Sequence, residues 1–404
     1  MKTVGAALGE NRGIGPGFDF LRIALSICIL FSHSFLVSQG ERHQFDHPVL
    51  TIFHDMLVPM FFALSGFLIT GSALRLKLHD FLLNRGMRIV PALSVDIMVS
   101  ALILGPLFTQ LPLGQYFGAY EFRAYFMNAL GLIHYLLPGV FLHNPFPATV
   151  NGSLWTVPFE IGCYCLISFL IATAALKFRR AALVICGVLT AYILGSYLLN
   201  FDPLTALGVS TSGDRIHDLV DHFFSHQGVL LYIDFMLGCL AYLFRERIPF
   251  SPWIAAAALV LLLGTSIALP KAPGSAICLV LAPAVVYLTV FLGVCRLPKV
   301  PFYSGGDYSY GIYLYGFPLQ QAITALLPGV TSPWLHFAIS LPVVTAVAFF
   351  SWHVIEKPIL GLRKKFSFTA RKGDQAPTLP AAEPGSVEKP ESAELPQTAG
   401  ATAA

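Results

Sequence analysis

The sequence contains few charged residues. Only 12% of its 404 residues are Asp, Glu, Lys or Arg, whereas soluble domains contain roughly 25%. Hydrophobic residues make up 55% of the chain, and the mean hydropathy is +0.69. This composition excludes a soluble protein and predicts an integral membrane protein. The net charge of +3 is too small to indicate nucleic-acid binding, so no nucleic-acid partner is expected.

Disulfide, metal and signal features are also sparse. The seven cysteines lie in or beside apolar runs, mostly alone, which indicates free thiols rather than a disulfide framework. His217, His222 and His226 have a spacing that could hold a metal on a helix, but we favour a solvated loop or an acceptor contact and predict no metal site. The first 17 residues contain no apolar segment long enough for a cleavable signal.

Long apolar windows recur along the chain and predict its architecture. About 20 apolar residues are needed to cross the hydrocarbon core as a helix. We place ten such spans near residues 20–38, 56–74, 91–110, 154–176, 181–199, 227–244, 251–269, 275–294, 308–327 and 334–355. Residues 123–141 form a further candidate, which we interpret as a shorter helix at the outer surface because polar residues and Pro138 interrupt it.

Lysine and arginine residues concentrate in every second loop. They follow spans two, four, six, eight and ten, and such loops are typically cytoplasmic. The chain is therefore expected to be an all-α, polytopic membrane helix bundle of about ten transmembrane helices with both termini cytoplasmic. We divide it into a short cytoplasmic N-terminus (1–17), a membrane domain (18–360) and a Pro-, Ala- and Glu-rich tail (361–404) that we expect to be disordered.

Ionisable residues inside the spans are the first functional candidates, because charge in a membrane is costly. Arg22 and His33 are eleven residues apart in the first span, so they share one helix face about 16 Å apart along the axis. Asp19 is expected to pair with Arg22. Glu160 in span four reaches a depth similar to that of His33, and we expect both to line one polar pocket that opens outward. The alternatives are an Arg22 that only anchors the helix at the headgroups and a buried His33–Glu160 pair that only fastens two helices.

Several segments, in this order, resemble a known family. They are Phe18–His33 with its Arg-x10-His spacing, "VPMFFALSGFLIT", "FLLNRGMRIVPAL", "NGSLWTVPFE", "YSYGIYLYGFPLQQ" and "HVIEKP". Together they resemble membrane acyltransferase family three, the bacterial integral-membrane enzymes that O-acylate cell-surface glycans. The chain departs from the pattern at Gly316, where many members have a histidine.

The resemblance implies transfer of an acyl group, most often acetyl, from cytoplasmic acyl-CoA to a glycan hydroxyl, with no bound cofactor. Arg22, Arg85 and Arg88 would bind the phosphates of the acyl-CoA, although positive charge at the cytoplasmic end explains them equally well. A hydroxyl needs a base to attack a thioester, and neutral imidazole suits that role near neutral pH. We therefore assign the base to His33, with Glu160 orienting the ring or positioning the acceptor.

Further residues are supporting candidates. Ser65 is either a nucleophile that carries the acyl group briefly or, as we favour, a small packing residue. Asn151, Ser153 and Trp155 are expected at the outer mouth, where they would contact a sugar, although tryptophan is common at any membrane boundary. Glu356 follows span ten and either supports the cytoplasmic site or faces water.

One alternative function remains open from the sequence. Ten helices with buried charge also fit a transporter or flippase for a glycan, lipid or organic acid. The sequence does not identify the acceptor, since lipopolysaccharide, exopolysaccharide, a lipo-oligosaccharide signal and peptidoglycan are all compatible. The expected location is the bacterial inner membrane, with lipid, acyl-CoA and glycan as partners.

Overall fold

A computed structural model describes residues 1–11, 13, 15–40, 48–175, 178–199, 226–269, 274–298, 303 and 306–362. The described part of the chain is an all-α bundle, as predicted. The sequence expectations for His217, His222 and residues 363–404 lie outside the described residues, as does the side chain of His226.

The helices overlap the ten predicted spans and add short helices between them, but the third begins at Leu78, thirteen residues before its predicted start, so that Arg85 and Arg88 lie within it. They are α1 (Val4–Glu10), α2 (Phe18–Gln39), α3 (Pro48–Ala73), α4 (Leu78–Val99), α5 (Leu113–Gly118), α6 (Tyr120–Tyr125), α7 (Val157–Ala172), α8 (Arg179–Leu199), α9 (His226–Leu243), α10 (Pro252–Ala268), α11 (Gly274–Val294), α12 (Ser309–Leu326) and α13 (Pro333–Ser351). Within the described residues, five helical segments are long and apolar enough to cross a membrane, and several shorter apolar helices accompany them. The chain is therefore a multi-pass membrane bundle.

Two of the long helices continue beyond their α-helical bounds. A π-helical turn (Ser100–Leu104) and one α-helical turn (Gly105–Phe108) extend α4. Another π-helical turn (Trp352–Glu356) and a short helix (Lys357–Gly361) extend α13. A 3₁₀ turn (Gly152–Thr156) leads into α7. A π turn holds one more residue than an α turn and often lies at a functional site.

The segment before α7 differs from the single short helix expected at residues 123–141. It contains α6 and a 3₁₀ turn (Phe126–Leu130), and it is irregular beyond that turn. The buried Asn128 side chain donates to the carbonyl oxygens of Tyr125 and His134 and accepts from the His134 amide. Because these bonds satisfy the backbone in a turn, the helix ends at this point.

One end of the bundle gathers the N-terminus and several helix ends. The amides of Val4 and Gly5 in α1 donate to carbonyl oxygens of Ile248 and Arg245, just after α9. Asp307 before α12 lies within ion-pair distance of Arg22, near the start of α2, and of Arg88, in the middle of α4. The structure thus brings together at one end of the bundle the N-terminus and the helix ends that the charge pattern assigns to one side of the membrane. That this side is cytoplasmic stays a prediction.

Helices α3 and α9 make the closest helix pair around the bundle core. An added Cβ at Gly66 would overlap the carbonyl oxygen of Phe235, and one at Gly238 would overlap the carbonyl oxygen of Ala63. Small residues therefore let the two backbones touch, as is common between membrane helices. Gly66, the neighbour of Ser65, is therefore a packing residue in the structure.

We expect Gly66→Ala to destabilise the protein by about 1–3 kcal/mol, because the new methyl group forces α3 and α9 apart. Gly264→Ala is the matched control, since a Cβ at Gly264 in α10 meets no atom within 4 Å and alanine favours helix. Thermal unfolding of the purified protein in detergent measures both variants. A Gly66→Ala melting temperature equal to or above that of Gly264→Ala would contradict this packing.

Candidate active site

A cavity lies between α2, α3, α4, α7 and α12 towards the end where α2 begins. It offers about 120 Å³ of space to water-sized molecules, which is room for several waters. Its polar lining consists of Arg22, Ser65, Arg85, Arg88, Thr156, Glu160, Tyr164, Ser309, Tyr310 and Tyr313. The cavity thus brings together four candidate site residues of both signs, together with Ser65.

Asp307 links two of the arginines. Its Oδ2 atom lies 2.8 Å from Nη2 of Arg88 and 3.3 Å from Nη1 of Arg22, and the Ser309 hydroxyl donates to Oδ1 at 2.6 Å. Burial alone would raise the pKa of Asp307, but the charges of Arg88 and Arg22 and these hydrogen bonds lower it to about 2. The carboxylate therefore stays ionised at every physiological pH.

Glu356 supports the same cluster from the π turn after α13. Its side chain is only 2% exposed, and its Oε2 atom lies 3.5 Å from Nη1 of Arg88. The Ser351 hydroxyl donates to its other oxygen at 3.1 Å. The sequence left open whether Glu356 supports the site or faces water. The structure shows it buried against the arginine cluster.

The expected Asp19–Arg22 pair is wrong. Asp19 is exposed, and Arg22 pairs with Asp307 instead. Asp19 lies in the first turn of α2 and points away from the bundle, whereas the long Arg22 side chain reaches across to the loop before α12. Spacing within one helix does not reveal a partner 285 residues away.

Arg85 is the one of the three arginines that has no carboxylate partner among the described residues. It lines the cavity, and its Nε atom is buried without a hydrogen-bond partner among the described residues. Unpaired buried donors are rare and costly, so this atom indicates a place for an acceptor group. Arg22 and Arg88 already have carboxylate partners, and Arg85 is therefore the arginine most open to an anionic ligand.

Glu160 lies among these arginines rather than beside His33. Its Oε1 atom accepts a hydrogen bond from the Tyr164 hydroxyl, one helical turn later, at 2.6 Å. Both residues line the arginine cavity. The carboxylate thus adds negative charge to a site that already contains three guanidinium groups.

His33 lies at another level of the bundle. Its ring packs edge-to-face against Phe317, with 5.1 Å between ring centroids, and it is not among the residues that line the arginine cavity. Phe317 follows Tyr310 by seven residues on α12, which corresponds to about 10 Å along the axis. The expected common pocket for His33 and Glu160 is therefore wrong. The predicted separation of Arg22 and His33 is confirmed, because α2 is one continuous helix.

The start of α7 explains the displacement of Glu160. Asn151 and Ser153 were expected at the outer mouth, but both are fully buried, so that expectation is wrong. The Asn151 amide donates to Asp96 at 2.8 Å and to the Leu314 carbonyl oxygen at 3.0 Å, and its oxygen accepts from the Ser153 amide. The chain thus enters the bundle interior before α7 begins, which carries Glu160 deeper. Trp155 is half-buried and packs edge-to-face on Phe159.

Several residues of the site were missed from the sequence. Asp307, Tyr164 and Tyr310 complete the arginine cluster, and Asp96 holds the start of α7. Only Tyr164 had a readable signal, namely its four-residue spacing from Glu160. Within the described ranges, no group of three or more His, Cys, Asp or Glu residues could hold a metal ion.

Comparison with known proteins identifies relatives over nearly the whole chain. Residues 16–353 match the model of a family described as an acyltransferase domain. A protein of Shigella phage Sf6 named O-acetyl transferase is 25% identical over 348 residues, which cover 85% of this chain and 95% of that protein. Nodulation protein 10 of Rhizobium leguminosarum bv. viciae is 26% identical over 393 residues, covering 91% and 99% respectively. No solved structure matches significantly.

We expect Asp307→Asn to lower the free energy of unfolding by about 1–3 kcal/mol, because Arg22 and Arg88 lose a charged hydrogen-bond partner. Asp19→Asn is the matched control and should leave stability unchanged, since Asp19 is exposed. Denaturation in detergent at neutral pH measures both variants.

The same comparison has a pH dependence. Because folding lowers the pKa of Asp307 from 3.8 to about 2, its stabilisation is present above about pH 4 and disappears as the pH falls towards 2. The difference in the free energy of unfolding between Asp307→Asn and the parent should shrink as the pH falls through that range. A difference that persists unchanged at the acid end would contradict the ion-pair assignment.

Proposed function

Since this chain belongs to the acyltransferase family, we propose that it is a membrane O-acetyltransferase that moves an acetyl group from cytoplasmic acetyl-CoA to a hydroxyl of a cell-surface or exported glycan. The proposal depends on one observation: Arg22, Arg85 and Arg88 converge on a cavity at one end of the bundle, and His33 lies further along the same helix as Arg22. The name of the phage relative, O-acetyl transferase, supports acetyl as the transferred group. The bacterial inner membrane is the proposed location.

The arginine cavity fits the phosphates of the donor. Coenzyme A is a polyanion, and guanidinium groups bind phosphate through paired hydrogen bonds. In our proposal, Arg85 contributes its free Nε donor, while the ionised Asp307 holds Arg22 and Arg88 towards the cavity. The donor carries its thioester on a long flexible arm, which would extend along the apolar wall formed by Val58 and Phe61 towards the level of His33.

His33 would act as the general base at the far end of that path. Its neutral imidazole takes the proton from the acceptor hydroxyl while the hydroxyl oxygen attacks the thioester carbonyl carbon. A carbon–oxygen bond forms, the carbon–sulfur bond breaks, and the His33 imidazolium gives the same proton to the leaving coenzyme A thiolate. The products are the acetyl ester and free coenzyme A.

Glu160 and Ser65 belong to the donor side in this scheme. Glu160 balances the arginine charge when the phosphates are absent, a role that fits its place beside Tyr164 better than orientation of the His33 ring. Ser65 lines the same cavity. A covalent acyl-serine would therefore form at the donor level, and mass spectrometry of protein quenched during turnover distinguishes it from direct transfer.

The direct test is transfer of label from acetyl-CoA. Membranes that contain the chain should incorporate labelled acetyl groups into surface glycan, and mass spectrometry of glycans from a deletion strain should show lost O-acetyl groups. A transporter or flippase would instead move unmodified solute without an acyl donor. Solute movement in vesicles without acetyl-CoA, together with unchanged glycan, would reject the proposal.

We expect Arg85→Ala to weaken coenzyme A binding about 10-fold to 100-fold, because a charged hydrogen bond is worth about 1.5–3 kcal/mol. Arg75→Ala is the matched control, since Arg75 is an exposed arginine shortly before α4. Calorimetry on the detergent-solubilised protein measures both. S-acetylpantetheine lacks the nucleotide phosphates and should therefore bind more weakly than acetyl-CoA. Its affinity should be the same for the parent and for Arg85→Ala. Equal coenzyme A affinity of the parent, Arg85→Ala and Arg75→Ala would exclude phosphate binding by Arg85.

We expect His33→Ala to reduce acetyl transfer about 10²-fold to 10⁴-fold, which is the usual contribution of a general base. Coenzyme A binding should stay near that of the parent, because His33 does not line the donor cavity. His79→Ala is the control, since the His79 side chain is 57% exposed. Near-normal transfer by folded His33→Ala would remove the base assignment and leave the donor assignment standing.

A further inference from the structure

A second cavity lies at the opposite end of the bundle from the arginines. It offers about 410 Å³, within the size range of small-molecule sites. Its wall combines Ser38 at the end of α2, Phe108 and Gln110 after α4, the loop from Phe141 to Pro145, and the end of α12 with the residues that follow it. No candidate residue from the sequence lines this cavity.

The loop that forms this cavity is held by partly buried hydrogen bonds. Asn144 donates to the side-chain oxygen of Gln321 at 2.7 Å and to its carbonyl oxygen at 3.0 Å. Gln321, itself fully buried, donates to the carbonyl oxygens of Phe146 and Thr149, each at 2.8 Å. The loop is thereby fixed to α12, so the cavity has a preformed shape.

The backbone at Phe141 supports a functional interpretation of this loop. Phe141 has a φ of 55°, a left-handed conformation that is uncommon for a bulky residue. Strain of this kind persists where the surroundings enforce it, and it often accompanies ligand sites. The Phe141 ring lines the cavity 5.0 Å from the Phe108 ring.

The lining chemistry suits a neutral polyhydroxylated ligand. Among the described residues that line the cavity, none is Asp, Glu, Lys or Arg, in contrast to the arginine cavity. Its polar groups are amides, hydroxyls and an imidazole, which both donate and accept hydrogen bonds. They lie beside the aromatic rings of Phe108 and Phe141, against which the apolar face of a sugar ring can pack.

The cavity also lies close to His33. Ser38 follows His33 by five residues on α2, about 7.5 Å along the axis and about 140° around it, so the approach to His33 is on the side of Phe317. Phe317, which packs on His33, lies 6.0 Å from the ring of Phe146, the residue after Pro145 in the cavity wall. His33 therefore lies between the arginine cavity and this second cavity along the bundle.

We propose that the second cavity binds a neutral sugar unit of the acceptor glycan and presents its hydroxyl towards His33. The proposal rests on the acetyltransferase function above and adds to it the place and chemical class of the acceptor. His143 and Gln110 lie exposed on the rim, and both contact the sugar through hydrogen bonds. Asn144 positions the loop.

The first test measures saccharide binding without acetyl transfer. Leu142→Cys and Pro328→Cys, at exposed positions that line the cavity without an assigned sugar contact, are labelled with a membrane-impermeant maleimide in membranes with this face accessible, and the unsubstituted chain gives the background. Neutral methyl glycosides of several hexoses and deoxyhexoses should slow labelling at least about threefold. Gln115→Cys is the control, because Gln115 lies exposed in α5 and does not line the cavity. Equal labelling with and without every glycoside would overturn the proposal.

The second test measures turnover. His143→Ala and Gln110→Ala should raise the glycan concentration needed for half-maximal transfer about 5-fold to 20-fold, while the KM for acetyl-CoA stays unchanged. An unchanged glycan requirement in the double variant would also overturn the proposal. If glycosides protect the cysteines but the parent transfers no acetyl group, the sugar site stands and the acetyltransferase function fails. If transfer occurs without protection, the function stands and this site fails.

Discussion

The arrangement of the candidate site depends on charge pairing at Asp307. Two guanidinium groups at the edge of an apolar bundle are costly unless a carboxylate compensates them. Asp307 contacts Arg22 of α2 and Arg88 of α4, and Glu356 contacts Arg88 from beyond α13. One acidic side chain thus connects three distant parts of the chain. This pairing leaves Arg85 as the open donor that the proposed phosphate binding requires.

Much of the fold could be predicted from the sequence. The all-α bundle, the approximate places of its apolar helices and the separation of Arg22 from His33 all follow from apolar length and helical rise, which are local properties. The Asp19–Arg22 pair failed because helix spacing shows which residues are near, but not which way a long side chain turns. The His33–Glu160 pocket failed because the depth estimate began from an assumed outer boundary at Ser153, which is in fact buried.

The two cavities divide the proposed reaction between chemically different environments. The arginine cavity is charged and suits a polyanion, whereas the second cavity contains amides, hydroxyls and aromatic rings. His33 lies between them against Phe317. Each substrate would therefore approach the base from its own side of the membrane, and neither would need to cross the bilayer. This separation is what the proposed function requires, since its donor and its acceptor would occupy different compartments.

The π turn after α13 makes the acidic side of the cluster sensitive to the helical register of that turn. The turn Trp352–Glu356 contains one residue more than an α turn would. Conversion of this turn to regular helix, with the sequence unchanged, would rotate Glu356 by about 100°, away from Arg88. The helical register of a single turn thus decides whether this carboxylate pairs with Arg88, a dependence that comparison of substitutions alone would overlook.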